Sequence, residues 1–60
     1  MRKITESTYG THAFMRMELD NGIIGEIDVY WRENGESYRT NHDDNPELRE
    51  EIIAAFNKLY

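Results

Sequence analysis

Two stretches of alternating residues constrain this chain more than any other feature. From His12 to Leu19, the apolar Ala13, Met15, Met17 and Leu19 alternate with His12, Arg16 and Glu18, and Phe14 alone breaks the pattern. From Ile23 to Trp31, one set is Ile23, Gly25, Ile27, Val29 and Trp31, and the other is Ile24, Glu26, Asp28 and Tyr30. A period of two sends successive side chains to opposite sides of an extended backbone, so each stretch predicts a half-buried strand. Asp20-Asn21-Gly22 between them is a turn signal.

The alternation also fixes the register. A two-residue Asn21-Gly22 turn sets Arg16 against Ile27 and Met15 against Asp28, which mixes the two faces. A three-residue loop with Gly22 as a left-handed bulge residue pairs Leu19 with Ile23 instead. Met17 then faces Gly25, Met15 faces Ile27 and Ala13 faces Val29, while Arg16 meets Glu26 on the other face. A slip of one residue reverses every side chain, so the second register is expected. Gly25 opposite Met17 leaves room for another element to approach. Farther on, Asn34-Gly35 fits a two-residue type I′ turn. It sets Glu33 against Glu36, Trp31 against Tyr38 on the inner face and Tyr30 against Arg39 on the outer face.

Asn45-Pro46-Glu47 carries the marks of a helix start: a capping side chain, a proline suited to the first helical position and an acid at the positive helix end. Leu48, Ile52, Phe56 and Leu59 follow at helical spacing, flanked by Ile53 and Ala55. A helix of about 14 residues is marginal alone in water. The apolar surface on which it can dock is the odd-numbered face of the strands.

The expected fold is therefore α+β: a three-stranded antiparallel β-meander packed on one face by a single C-terminal helix, as one domain over 1–60. The strands are placed at about 11–19, 23–32 and 37–41, and the helix at about 46–59. Residues 1–10 either extend the first strand or add a fourth.

Composition bounds the rest. Twelve acidic against seven basic side chains give a net charge of −5, and there is no cysteine. A chain of 60 residues buries only about 60% of its unfolded surface. Small domains often add disulfides, metals or oligomerisation, and without cysteine the first of these and thiolate zinc sites are excluded. Self-association, as a homodimer, is the expected remaining device. No apolar run nears the roughly 18 residues of a membrane span. Met1-Arg2-Lys3 leads into Ile4-Thr5-Glu6-Ser7 rather than an apolar segment, so no signal peptide is read and a cytoplasmic protein is expected.

Three groups of residues are candidates for function. The even-numbered sheet face displays Phe14, Arg16, Ile24, Glu26, Asp28, Tyr30 and Arg39, together with His12, Glu18 and Arg32, and no second layer from this chain is expected to cover it. Phe14, Ile24 and Tyr30 are apolar for a face meant only for water, which points to a contact surface. The second group, Asp43, Asp44, Glu47, Glu50 and Glu51, crowds the loop and first helical turns. Those acids match the helix dipole, and they also offer an anionic surface to a basic partner. The third, His42-Asp43-Asp44, has metal-capable side chains but no ligand spacing, so no metal is expected and helix capping by Asp44 or Asn45 is preferred. No cofactor is expected either. Catalysis is not expected: Glu26 and Asp28 share an open face, with no pocket to shift a pKa, and Ser7 and Ser37 lack a spaced histidine and acid.

A three-stranded sheet with a C-terminal helix resembles, in layout, two DNA-binding domain types: the plant ethylene-response type and the arm-binding domains of some phage recombinases. The resemblance implies nucleic-acid reading by the sheet face through Arg16, Arg32, Arg39 and Tyr30, but no motif is shared. Glu18, Glu26 and Asp28 offset the three arginines, so direct nucleic-acid binding is the alternative. The preferred expectation is a small acidic, non-enzymatic protein-interaction module with a protein partner, a basic nucleic-acid-handling one among the candidates. Size and charge suit an inhibitor-like phage or mobile-element accessory protein that redirects a host factor.

Overall fold

The computed structural model describes residues 1–60, in the order β1 (Arg2–Tyr9), β2 (His12–Glu18), β3 (Ile24–Arg32), β4 (Gly35–Thr40) and α1 (Pro46–Leu59). The strands form one antiparallel sheet in chain order, and α1 closes one of its faces. The class is α+β, as expected, but the meander has four strands rather than three. The added strand is the N-terminal stretch, which folds back on β2 through Gly10-Thr11, with Tyr9 opposite His12. Gly10 has φ +62° and Thr11 keeps a negative φ, the signature of a two-residue type II′ turn with glycine first.

The β2–β3 register is the one derived from the alternation. Met17 pairs with Gly25, Met15 with Ile27, Ala13 with Val29 and Arg16 with Glu26. The loop is closed by hydrogen bonds from the Leu19 amide to the Ile23 carbonyl and from the Gly22 amide to the Leu19 carbonyl, with Gly22 at φ +85°. Ala13, Met15, Met17, Ile27 and Val29 are fully buried, and they meet Leu48, Ile52, Ala55 and Phe56 of α1. Gly25 is the point of closest approach. A Cβ built there falls 2.9 Å from Ile52 Cγ1 and 2.9 Å from Met17 Sδ.

The second hairpin differs from the expectation by two residues. Arg32 pairs with Gly35, Trp31 with Glu36, Val29 with Tyr38 and Asp28 with Arg39, so neither the Trp31–Tyr38 nor the Tyr30–Arg39 pair forms. A type I′ turn at Asn34-Gly35 needs positive φ at Asn34, and no non-glycine residue has one. The turn instead lies at Glu33-Asn34, with the positive φ of +124° on Gly35 as the residue after it. A shift of two preserves parity, so Tyr38 still turns inward to join the core margin beside Trp31.

Helix α1 begins where the sequence marks it. Asn45, with φ −121° and ψ 98°, accepts a hydrogen bond from the Leu48 amide at 3.2 Å. The entry to the helix is tied to β4 by Asp43, which accepts from the Thr40 hydroxyl at 2.7 Å and from the Thr40 amide at 3.0 Å. At the far end Tyr60 stacks on Phe56, with centroids 4.8 Å apart, and its hydroxyl lies 3.0 Å from Thr8 Oγ1. No buried side-chain nitrogen or oxygen lacks a partner.

Candidate interaction surface

The strand registers combine into rows across the outer face. One row is Tyr9, His12, Tyr30 and Ser37; the next is Ser7, Phe14, Asp28 and Arg39; a third contains Thr5, Arg16 and Glu26; the last contains Arg2, Glu18 and Ile24. The expected sheet-face residues Phe14, Arg16, Ile24, Glu26, Asp28, Tyr30 and Arg39 are thus brought together on one side of the sheet. No element of the chain lies over them, because α1 packs on the opposite side. Phe14 and Tyr30 are half-buried between their neighbours, and Ile24 is 42% exposed.

Charge on this face is arranged in pairs. Arg16 Nη2 lies 2.6 Å from Glu26, Arg2 Nη2 2.8 Å from Glu18, and His12 Nε2 2.8 Å from Asp28. The His12 ring stacks on Tyr30 with centroids 4.4 Å apart and planes 9° from parallel, and the Arg32 guanidinium sits 5.8 Å from the Tyr30 centroid. Because Asp28 is engaged by His12, Arg39 opposite it has no ion-pair partner, and neither has Arg32. All three carboxylates of the face are therefore matched, and two arginines toward the β4 edge are left over.

Sequence reasoning left residues 1–10 open between an extension of the first strand and a fourth strand, and so placed none of their side chains on this face. Arg2 supplies the partner of Glu18, and Tyr9, which is 87% exposed, extends the aromatic row. The available signal was the Gly10-Thr11 dipeptide, a glycine-first hairpin turn. The strand itself gave none, since Arg2–Tyr9 is exposed on both faces and carries no apolar alternation.

The acidic candidates divide. Asp43 is committed inside the chain: the Thr40 hydroxyl, then the Thr40 amide and Arg49, hold its carboxyl below the usual carboxylate range. Glu50 lies 3.9 Å from Arg49, whereas Asp44, Glu47 and Glu51 are exposed and unpaired. His42 turns its ring to the Ile24 carbonyl at 3.3 Å, away from any cluster with Asp43 and Asp44. No group of three His, Asp or Glu side chains is placed to hold a metal ion. The largest concavity, about 440 Å³, lies between α1 and the β2–β3 loop, and is lined by Leu19, Asn21, Glu51, Ala54 and Lys58 among others.

No helix is long and apolar enough to cross a membrane. Comparison with protein-family models, curated proteins and solved structures finds no match to this chain.

Proposed function

We propose that this chain is a non-enzymatic protein-interaction module that presents its outer sheet face to a protein partner. The observation that carries this reading is the internal pairing of the face. Glu18 and Glu26 are each matched by an arginine of the same face and Asp28 is hydrogen-bonded by the His12 ring, so no carboxylate of the face is left without a partner, with Phe14, Ile24 and Tyr30 among the pairs. A polyphosphate backbone is held by cations free to replace its counterions, and here only Arg32 and Arg39 are free. A protein surface asks for the reverse: exposed apolar groups and few charges to strip of water.

Size sets the kind of complex. Four strands of about seven residues, at roughly 4.8 Å between strands and 3.3 Å per residue, span a face of about 19 by 23 Å. A standard interface takes about 800 Å² from each partner. The flat face alone falls short of that, so a lasting complex draws in the rim. Asp44, Glu47, Glu50 and Glu51 belong to α1 and the loop before it, off this face, and steer a basic partner at a distance, with an on-rate that falls as salt rises. That combination fits a small accessory protein that inhibits or redirects a nucleic-acid-handling protein.

The alternative, nucleic-acid binding, is favoured by one feature: the two free arginines beside the His12–Tyr30 stack. The readings part under cross-linking capture from source cells, run with Phe14→Ser/Tyr30→Ser and with Glu47→Gln/Glu50→Gln/Glu51→Gln. The sheet-face variant should fold and lose its protein partner, and the acidic variant should slow association at low salt. Retention of the same partner by the sheet-face variant refutes the proposal. A gel shift of single-stranded DNA at low salt that depends on Arg32 and Arg39 establishes the alternative.

A further inference from the structure

We infer that β1 is an exchangeable arm, and that its second acceptor is β2 of another copy of this chain. Three observations meet here. First, no residue of β1 is buried, and the core is assembled entirely from β2, β3, α1 and the residue after β2, with Trp31 and β4 at its margin. Apolar burial is what ordinarily outweighs the entropy of ordering a strand, and β1 has its ladder to β2, exposed polar contacts and a single partly covered aliphatic side chain, Ile4 at 40% exposure. Segments of that kind open locally before the rest of the molecule.

Second, the polar contacts are few and lie at the strand's ends. They are Arg2 with Glu18, the Met1 ammonium with Asp20, and the Thr8 and Tyr60 hydroxyls. The Lys3–Glu6 pair lies within β1 and travels with it. The ladder itself is interrupted, since the register shifts between Lys3 and Thr5. Third, the hinge is a two-residue turn whose first residue, Gly10, holds φ +62°, a conformation that a freed, extended hinge does not need.

The occupant follows from fit. The edge that β1 uncovers on β2 presents Arg16, Phe14 and His12 on one side and Met15 and Ala13 on the other, and β1 pairs with each of them. A second copy supplies the same strand and remakes every cross-strand pair, so exchange is neutral in contacts. The hinge decides it. The short turn holds β1 at an effective concentration of at least the order of 1 mM, so the closed monomer dominates in dilute solution. Straightening the turn favours the exchanged dimer.

Gly10→Val tests this directly. Nothing lies within 4 Å of a Cβ at Gly10, so the substitution acts through backbone conformation alone. A β-branched residue resists positive φ, and relief at both hinges of a dimer should raise the dimerisation constant about a hundredfold. In the unaltered chain, β1 amides should exchange with solvent on the order of a hundredfold faster than those of β3. Isotope-filtered nuclear Overhauser spectra of a labelled and unlabelled mixture, refolded together near 1 mM, should show Ser7 of one copy against Phe14 of another. Equal protection of β1 and β3 overturns the inference. So does a Gly10→Val chain that stays monomeric, or one that unfolds outright and thereby shows β1 to be needed by the core. Dimers that form without contact between β1 of one copy and β2 of another also overturn it, while leaving the reading of the sheet face intact.

Discussion

Gly25→Ala is the sharpest test of how this fold is closed. Gly25 sits in β3 at an ordinary backbone conformation, so an added methyl meets no torsional strain. On conformational entropy alone, alanine should stabilise by about 0.4–1 kcal/mol. The packing opposes it. The new Cβ would lie 2.9 Å from Ile52 Cγ1, 3.2 Å from Ile52 Cδ1 and 2.9 Å from Met17 Sδ. Met17 is flexible and can swing aside. Ile52 is β-branched, fully buried and held on a helix, so its χ1 has little freedom and α1 itself must lift. Overpacking of this kind costs about 1–3 kcal/mol. Net of the entropic gain, Gly25→Ala should destabilise by about 1–2 kcal/mol, roughly 4–16 °C in Tm for a domain this small. The assay is urea and thermal unfolding followed by circular dichroism, run as a double-mutant cycle with Ile52→Ala. Ile52→Ala alone should cost about 2–5 kcal/mol. In that background the clash with Ile52 is gone and only the flexible Met17 must move, so Gly25→Ala should become neutral or stabilising, a coupling of at least about 1 kcal/mol. An equal cost in both backgrounds would refute the claim that the glycine exists to admit Ile52. A stabilising single substitution would refute it as well.

Two further outcomes follow from the β4–α1 junction. Asn45→Ala removes the side chain that accepts from the Leu48 amide and should lower stability by about 1 kcal/mol, whereas Asn45→Asp should retain most of it, as read by chemical denaturation. Asp43 has a folded pKa depressed below its unfolded value, chiefly by the Thr40 hydroxyl. Its contribution is therefore complete above the unfolded value of about 3.9 and is lost as pH falls through the folded one. Asp43→Asn should destabilise at pH 7 and flatten the loss of stability below about pH 4. An unchanged acid limb would show that the carboxylate plays no part.

The sheet-face and hinge substitutions separate the two kinds of association open to the molecule. Phe14 and Tyr30 lie on the face, and Gly10 lies at the turn that holds β1. Phe14→Ser/Tyr30→Ser is expected to alter partner capture without altering dimerisation, and Gly10→Val to alter dimerisation without altering partner capture.

Odd parity from Ala13 to Val29 was written in the residues, because an amphipathic strand admits only one side to the interior. The same parity placed Arg16 against Glu26 and foretold the bulged loop at Gly22, since any other loop would have mixed the faces. The helix start at Asn45 was equally local, a matter of one capping side chain and one proline. Tertiary structure alone decided the rest. It drew residues 2–9 into the sheet although none of them joins the core, because a free strand edge and a tight glycine turn suffice to pair a polar segment. It also moved the second hairpin by two residues, since Asn34 avoids positive φ and leaves it to Gly35, a choice to which alternation is blind. The pairing of His12 with Asp28, which leaves Arg39 and Arg32 unmatched, depends on side chains from separate strands competing for one carboxylate, and that competition exists only once the strands lie side by side.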